Sequence, residues 1–128
     1  MAWVQLVTLL AVIQYFGFGG LVARARARYG VKAPAITGHE MFERYYRVQM
    51  NTLETLPLFL CSLWLAAQYW SPQWVAALGA MYLVGRIVYL FSYVADPARR
   101  SMGYGISVIP TLFLFAGALW GVLRSVLV

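Results

Sequence analysis

Four stretches of this 128-residue chain are apolar for long enough to cross a bilayer, and short polar breaks separate them. Trp3 to Val22 carries no charged residue, and Arg24, Arg26 and Arg28 follow it, alternating with alanine. About 20 residues of helix cover the ~30 Å hydrocarbon core, so this run predicts a first span over about 3–24. It lacks a basic leader segment and is too long for a signal-peptide core, so it reads as a retained helix. Gly30, Pro34 and Gly38 punctuate the loop that follows. A second helix is expected over about 40–70, opening at Glu40, where an acidic side chain suits a helix N-terminus. Pro57 should kink it or mark a local rearrangement. Ser71-Pro72-Gln73 is an uncharged turn before a third helix over about 73–95. Asp96-Pro97 stops that helix, and Pro97 fits the first turn of a fourth over about 98–125.

Composition turns four apolar runs into a fold class. The chain is 62% hydrophobic and 11% charged, whereas soluble domains lie nearer half apolar and a quarter charged. An all-α integral membrane four-helix bundle follows, as one domain over residues 1–128. So small a bundle has little room for an internal cavity, which places any sizeable site between subunits. The net charge of +6 does not point to nucleic acid, because the basic residues sit at span ends. There they set topology and meet anionic headgroups. Loops one and three carry Arg24, Arg26, Arg28, Lys32, Arg99 and Arg100, against the uncharged second turn. Both loops are therefore expected in the cytoplasm, with Arg124 alone opposing. The membrane would be the plasma or inner membrane of a bacterium, or the endoplasmic reticulum of a eukaryote. The single cysteine, Cys61, excludes an internal disulfide framework and reads as a small buried apolar residue.

The polar residues inside the spans carry the candidate chemistry. Arg47, Asn51 and Glu54 are four and three apart and share one face of the second helix. Tyr82, Arg86, Tyr89 and Tyr93 form a similar stripe on the third. Charges at bilayer depth are costly and usually serve a partner or a site. The simplest expectation pairs Glu54 with Arg86 across the two helices. Arg44 is expected to pair with Glu40, and Arg47 with Glu43, at helical spacing. Arg24, Arg26 and Arg28 read first as headgroup anchors, the tyrosines as an interfacial belt, and His39 as solvent-facing. Against this stands a common location: arginines from every helix end converge on one membrane face, and guanidinium forks suit carboxylates. No metal-ligand spacing, nucleophilic triad, phosphate loop or dinucleotide fingerprint is present.

The segments FERYYRVQMNTLETLPLFL and VGRIVYLFSYVADPARRS resemble the MAPEG family, the membrane-associated proteins of eicosanoid and glutathione metabolism. The resemblance covers roughly residues 20 to 115. It implies a homotrimer that binds glutathione at the cytosolic side, between neighbouring subunits. Carried over by position, glutathione contacts fall on Arg26, Arg47, Gln49, Asn51, Glu54, Tyr89 and Tyr93. Arg100 falls where the family activates the thiol. Arg100-Ser101 and the following Tyr104 also match the prostaglandin E synthase pattern. Thr55 stands where the leukotriene C4 synthase pattern has tyrosine, and Tyr89 where the prostaglandin pattern has histidine. The resemblance implies a glutathione-dependent enzyme that conjugates glutathione to hydrophobic electrophiles or reduces lipid hydroperoxides. An isomerase of prostaglandin E synthase type and a non-catalytic lipid-binding protein are the alternatives.

Overall fold

The computed structural model describes residues 1–128 and contains helices only. Helix α1 runs Ala2–Tyr29, α2 Glu40–Ala67, α3 Pro72–Ala95 and α4 Arg100–Leu127. All four are long and apolar enough to cross a membrane.

Local chemistry explains the helix ends. α1 stops at Gly30, whose left-handed φ of 70° costs glycine no side-chain clash. His39 caps α2: its Nδ1 accepts a hydrogen bond from the Met41 N–H at 3.1 Å. That same ring stacks on Tyr29 with centroids 4.2 Å apart, so His39 ties loop one to both helices it joins. Glu40 and Glu43 lie in the first turn of α2, where the helix dipole favours them. α2 continues through the outward-facing Pro57 and ends at Ala67. Beyond it, the Trp70 indole N–H donates to the Gly117 carbonyl at 2.9 Å and ties the second turn to α4. Asp96 accepts from the Ala98 N–H at 3.0 Å and shapes the single 3-10 turn Pro97–Arg99 that precedes α4.

An apolar cluster including Val4, Phe59, Leu63, Tyr82 and Leu114 joins all four helices at one end of the bundle. Smaller clusters around Val48 and Phe42 fill the other end. Within the cluster Phe59 stacks on Tyr82 at 3.8 Å, and Trp64 donates to the Thr8 hydroxyl at 2.9 Å. Cys61 departs from expectation, for it lies exposed on the outer face of α2 rather than buried. The apolar run around it faces outward as well as inward, and in a membrane helix hydrophobicity does not distinguish the two.

α3 and α4 approach more closely than any other pair. A Cβ on Gly85 would strike the backbone of Ile106 and Ser107, and one on Gly103 the backbone of Val88 and Tyr89. Small residues at such crossings let membrane helices pack backbone to backbone.

Candidate functional site: a basic and aromatic cleft

The organising residue is Arg86, the largest fully buried side chain in the molecule. One guanidinium nitrogen donates to Asn51 Oδ1 of α2 at 2.7 Å, with Thr52 Oγ1 more distant at 3.5 Å. The other nitrogen donates to Ser107 Oγ of α4, also at 2.7 Å. The guanidinium carbon lies 4.5 Å from the Tyr89 ring centroid, 5.8 Å from Tyr82 and 5.9 Å from Tyr104. Neutral acceptors and ring faces therefore solvate the charge, with no carboxylate among them. Cation–π attraction strengthens where water is excluded, and the planar fork reaches two helices at once.

The expected Glu54–Arg86 pair does not form. Glu54 points away from the bundle interior and sits 3.9 Å from Arg47, one of three ion pairs in the chain. Arg47 accordingly pairs with Glu54 rather than with Glu43. Arg86 points the opposite way, into the interior, and meets the second helix through Asn51. The Arg44–Glu40 pair does form. Arg44 also donates to the carbonyls of Val94 at 2.8 Å and Ala95 at 3.2 Å. It thereby satisfies the last turn of α3, where carbonyls have no partners of their own.

Beside Arg86 lies a cleft of about 490 Å³, open on one side and framed by α2, α3 and α4. Arg47 and Asn51 come from α2, Tyr89 and Tyr93 from α3, and Arg100, Ser101, Tyr104 and Gly105 from α4. The tyrosines form a connected wall: Tyr89 stacks on Tyr93 at 5.5 Å and lies tilted to Tyr104 at 6.4 Å. Two guanidinium groups at an apolar, hydroxyl-bearing wall make a cradle for an extended anion with nonpolar parts.

The remaining sequence candidates lie elsewhere. Arg26 donates to the Ala35 carbonyl of loop one at 2.6 Å, and its guanidinium lies 4.7 Å from the Phe42 ring centroid. Gln49 packs its amide against Gly19 of α1. Glu54 lies beyond the cleft rim, held to it only through Arg47. Thr55, where the family pattern has tyrosine, turns inward. Its hydroxyl donates to the Thr52 carbonyl at 3.1 Å and is 3.0 Å from the Tyr82 hydroxyl.

Two residues that set the site were not singled out from sequence, Thr52 and Ser107. Serine and threonine in a membrane helix usually bond back to their own backbone, as Ser107 does to the Tyr104 carbonyl at 2.8 Å. The signal available was the spacing of Gly103, Ser107 and Thr111, three small residues on one buried face of α4.

A four-helix membrane protein with an arginine- and tyrosine-lined cleft at one end of the bundle is thus the class that fold and site define. The MAPEG family model matches residues 4–120, and the chain belongs to that family. An uncharacterised protein of Synechocystis sp. is 46% identical, over 94% of this chain and 88% of its own length. Microsomal glutathione S-transferase 2 of Homo sapiens is 36% identical, over 94% of this chain and 82% of its own. Leukotriene C4 synthase of Cavia porcellus is 38% identical, over 89% of this chain and 71% of its own. Family and helices together make this a multi-pass membrane protein.

Proposed function

We propose that this chain is a glutathione-dependent membrane enzyme that conjugates glutathione to hydrophobic electrophiles or reduces lipid hydroperoxides. The observation that carries the reading is the convergence of Arg47 and Arg100 on the tyrosine-walled cleft of a MAPEG protein. Two of its relatives are named as a glutathione transferase and a leukotriene C4 synthase.

Glutathione carries two carboxylates and one ammonium. Arg47 and Asn51 suit a carboxylate, Glu54 just beyond the rim suits the ammonium, and Tyr93 and Tyr104 supply hydroxyl donors. Arg100 is the group beside the sulfur. A guanidinium there favours thiolate over thiol, and thiolate is the nucleophile. Its position in the first turn of α4 adds the positive end of the helix dipole. In conjugation the thiol proton passes to water. The thiolate forms a carbon–sulfur bond, and the displaced electron pair leaves with the electrophile's oxygen or leaving group. In peroxide reduction the sulfur takes the distal oxygen, releasing the alcohol, and a second glutathione yields the disulfide and water. Holding a water-soluble thiol beside a membrane-dissolved substrate supplies proximity that neither bulk phase provides.

Arg26 and Gln49, which lie away from the cleft of their own chain, complete the cleft of a neighbouring copy in a homotrimer. Loops one and three, with the cleft, face the cytoplasm where glutathione is supplied.

Calorimetric titration of the detergent-solubilised protein with glutathione, alongside the ultraviolet thiolate band, tests the reading. Saturable binding at millimolar glutathione with growth of the band is expected, and absence of binding sinks the proposal. Arg100→Ala should retain binding but lose roughly tenfold of the thiolate and of the conjugation rate at neutral pH, as for a shift of about one pKa unit. Unchanged conjugation would remove Arg100 from the mechanism. Because Ser101 stands beside Arg100 on the cleft wall, an isomerase reading is also tested. Conjugation survives Ser101→Ala under the main proposal, whereas a serine-dependent isomerisation that uses glutathione catalytically would not.

A further inference from the structure

A second opening lies on another side of the bundle, between α1, α2 and α3. A groove of about 670 Å³ is lined by Leu21 and Arg24 of α1, Met41, Arg44 and Tyr45 of α2, and Leu90, Phe91 and Val94 of α3. It runs into a smaller hollow of about 90 Å³ that shares Leu21, Arg24 and Tyr45 and adds Arg28 and Tyr29. None of these residues lines the Arg47–Arg100 cleft.

The arginines around this groove are not equivalent. Arg44 is occupied by Glu40 and by the α3 carbonyls, and Arg26, between Arg24 and Arg28 in sequence, is occupied by Ala35 and Phe42. Arg24 and Arg28 make neither a side-chain hydrogen bond nor an ion pair, and Arg28 only flanks the Tyr29 ring at 5.5 Å. The lining contains no acidic residue. Below these two free cations the outer face of α3 is apolar and open: Phe91 is 70% exposed, Ile87 46% and Val84 55%. They are four and three residues apart, a stripe descending from the arginines along a helix apolar enough to cross the membrane.

Two unpaired cations at the mouth of an apolar channel match an amphiphile with one anionic head and a chain, and the surrounding bilayer is its supply. We propose that this groove is a binding site for an anionic phospholipid. Its phosphate is held by Arg24 and Arg28, and one acyl chain lies along Leu21, Leu90 and Phe91. The site is separate from the glutathione cleft and does not depend on the reading of that cleft.

The test is competitive native mass spectrometry. The detergent-solubilised protein is incubated with equal amounts of palmitoyl-oleoyl phosphatidylglycerol and the phosphatidylcholine of the same chains. Wild type should retain the anionic lipid preferentially, at one molecule per chain. An Arg24→Gln/Arg28→Gln double variant should lose roughly 25-fold of that preference, since each basic group near an anionic headgroup contributes about fivefold. Leu21→Trp, which fills the groove but keeps both arginines, should lose lipid retention while circular dichroism and glutathione binding stay at wild-type levels. Equal retention of the two lipids by wild type overturns the proposal, as does displacement of the lipid by inorganic phosphate at the same concentration, which would mark an anion site without a chain groove. In a Cys61→Ser background, disulfide-linked pairs formed by Phe91→Cys, with no lipid retained by wild type, would assign the groove to a subunit contact and overturn it too.

Discussion

Replacing Arg86 with methionine is expected to leave the helices intact but lower glutathione affinity more than tenfold, with a net stability loss of about 2 kcal/mol. Opposing terms set the size of the stability change. The guanidinium makes two short hydrogen bonds, to Asn51 and Ser107 at 2.7 Å each. Bonds to a charged group contribute about 1.5–3 kcal/mol apiece, and removing the donor strands both acceptors in the interior. Yet the charge is buried without a carboxylate, and its removal relieves a burial cost of several kcal/mol. The two terms largely offset. The cleft has no such offset, because Asn51 loses the donor that aims it, and Tyr89 and Tyr104 lose the cation their rings enclose. Arg86→Lys separates charge from shape: a single ammonium cannot fork between α2 and α4, so affinity should stay low. Calorimetry with thermal unfolding in detergent measures both quantities. An Arg86→Met protein that binds glutathione as well as wild type would show that Arg86 is structural filler alone.

What could be read in the chain and what could not divides along this residue. The four spans were legible because hydropathy over about 20 residues is a strong signal. The shared face of Arg47 and Asn51 was legible because helical spacing fixes which side chains are neighbours within one helix. Pairing between helices was not, since the relative rotation of two helices decides it and the spacing within either does not record that rotation. Charge alone pairs Glu54 with Arg86, whereas the rotation of α2 turns Asn51 inward and leaves Glu54 with Arg47. The side on which Cys61 lies is hidden for a related reason: lipid-facing and core-facing positions are both apolar, so composition does not assign it. Arg26 and Gln49 matched the family by position yet lie off the cleft of a single chain, as residues must if a site is shared between copies.

Gly103→Ala is expected to cost about 1–3 kcal/mol of stability and to abolish glutathione binding, a larger effect than any single cleft residue should show. The added methyl would meet the backbone of Val88 and Tyr89, not a side chain that could swing away. Relief requires α3 and α4 to move apart as rigid bodies. The reciprocal contact, Gly85 against Ile106 and Ser107, lies on the far side of Arg86 along the same crossing, so separation at one glycine strains the other. Ser107 would draw away from the Arg86 fork. Arg100, Ser101 and Tyr104 would shift as a group from Tyr89 and Tyr93, opening the cleft along its α3–α4 edge. Gly17→Ala is the matched control: its new methyl meets nothing within 4 Å, and alanine favours helix by up to about 1 kcal/mol over glycine. That variant should be as stable as wild type or more so, with unchanged binding. Thermal unfolding and glutathione calorimetry on the pair decide the matter. A Gly103→Ala protein indistinguishable from Gly17→Ala would mean that the close α3–α4 crossing does not hold the cleft together.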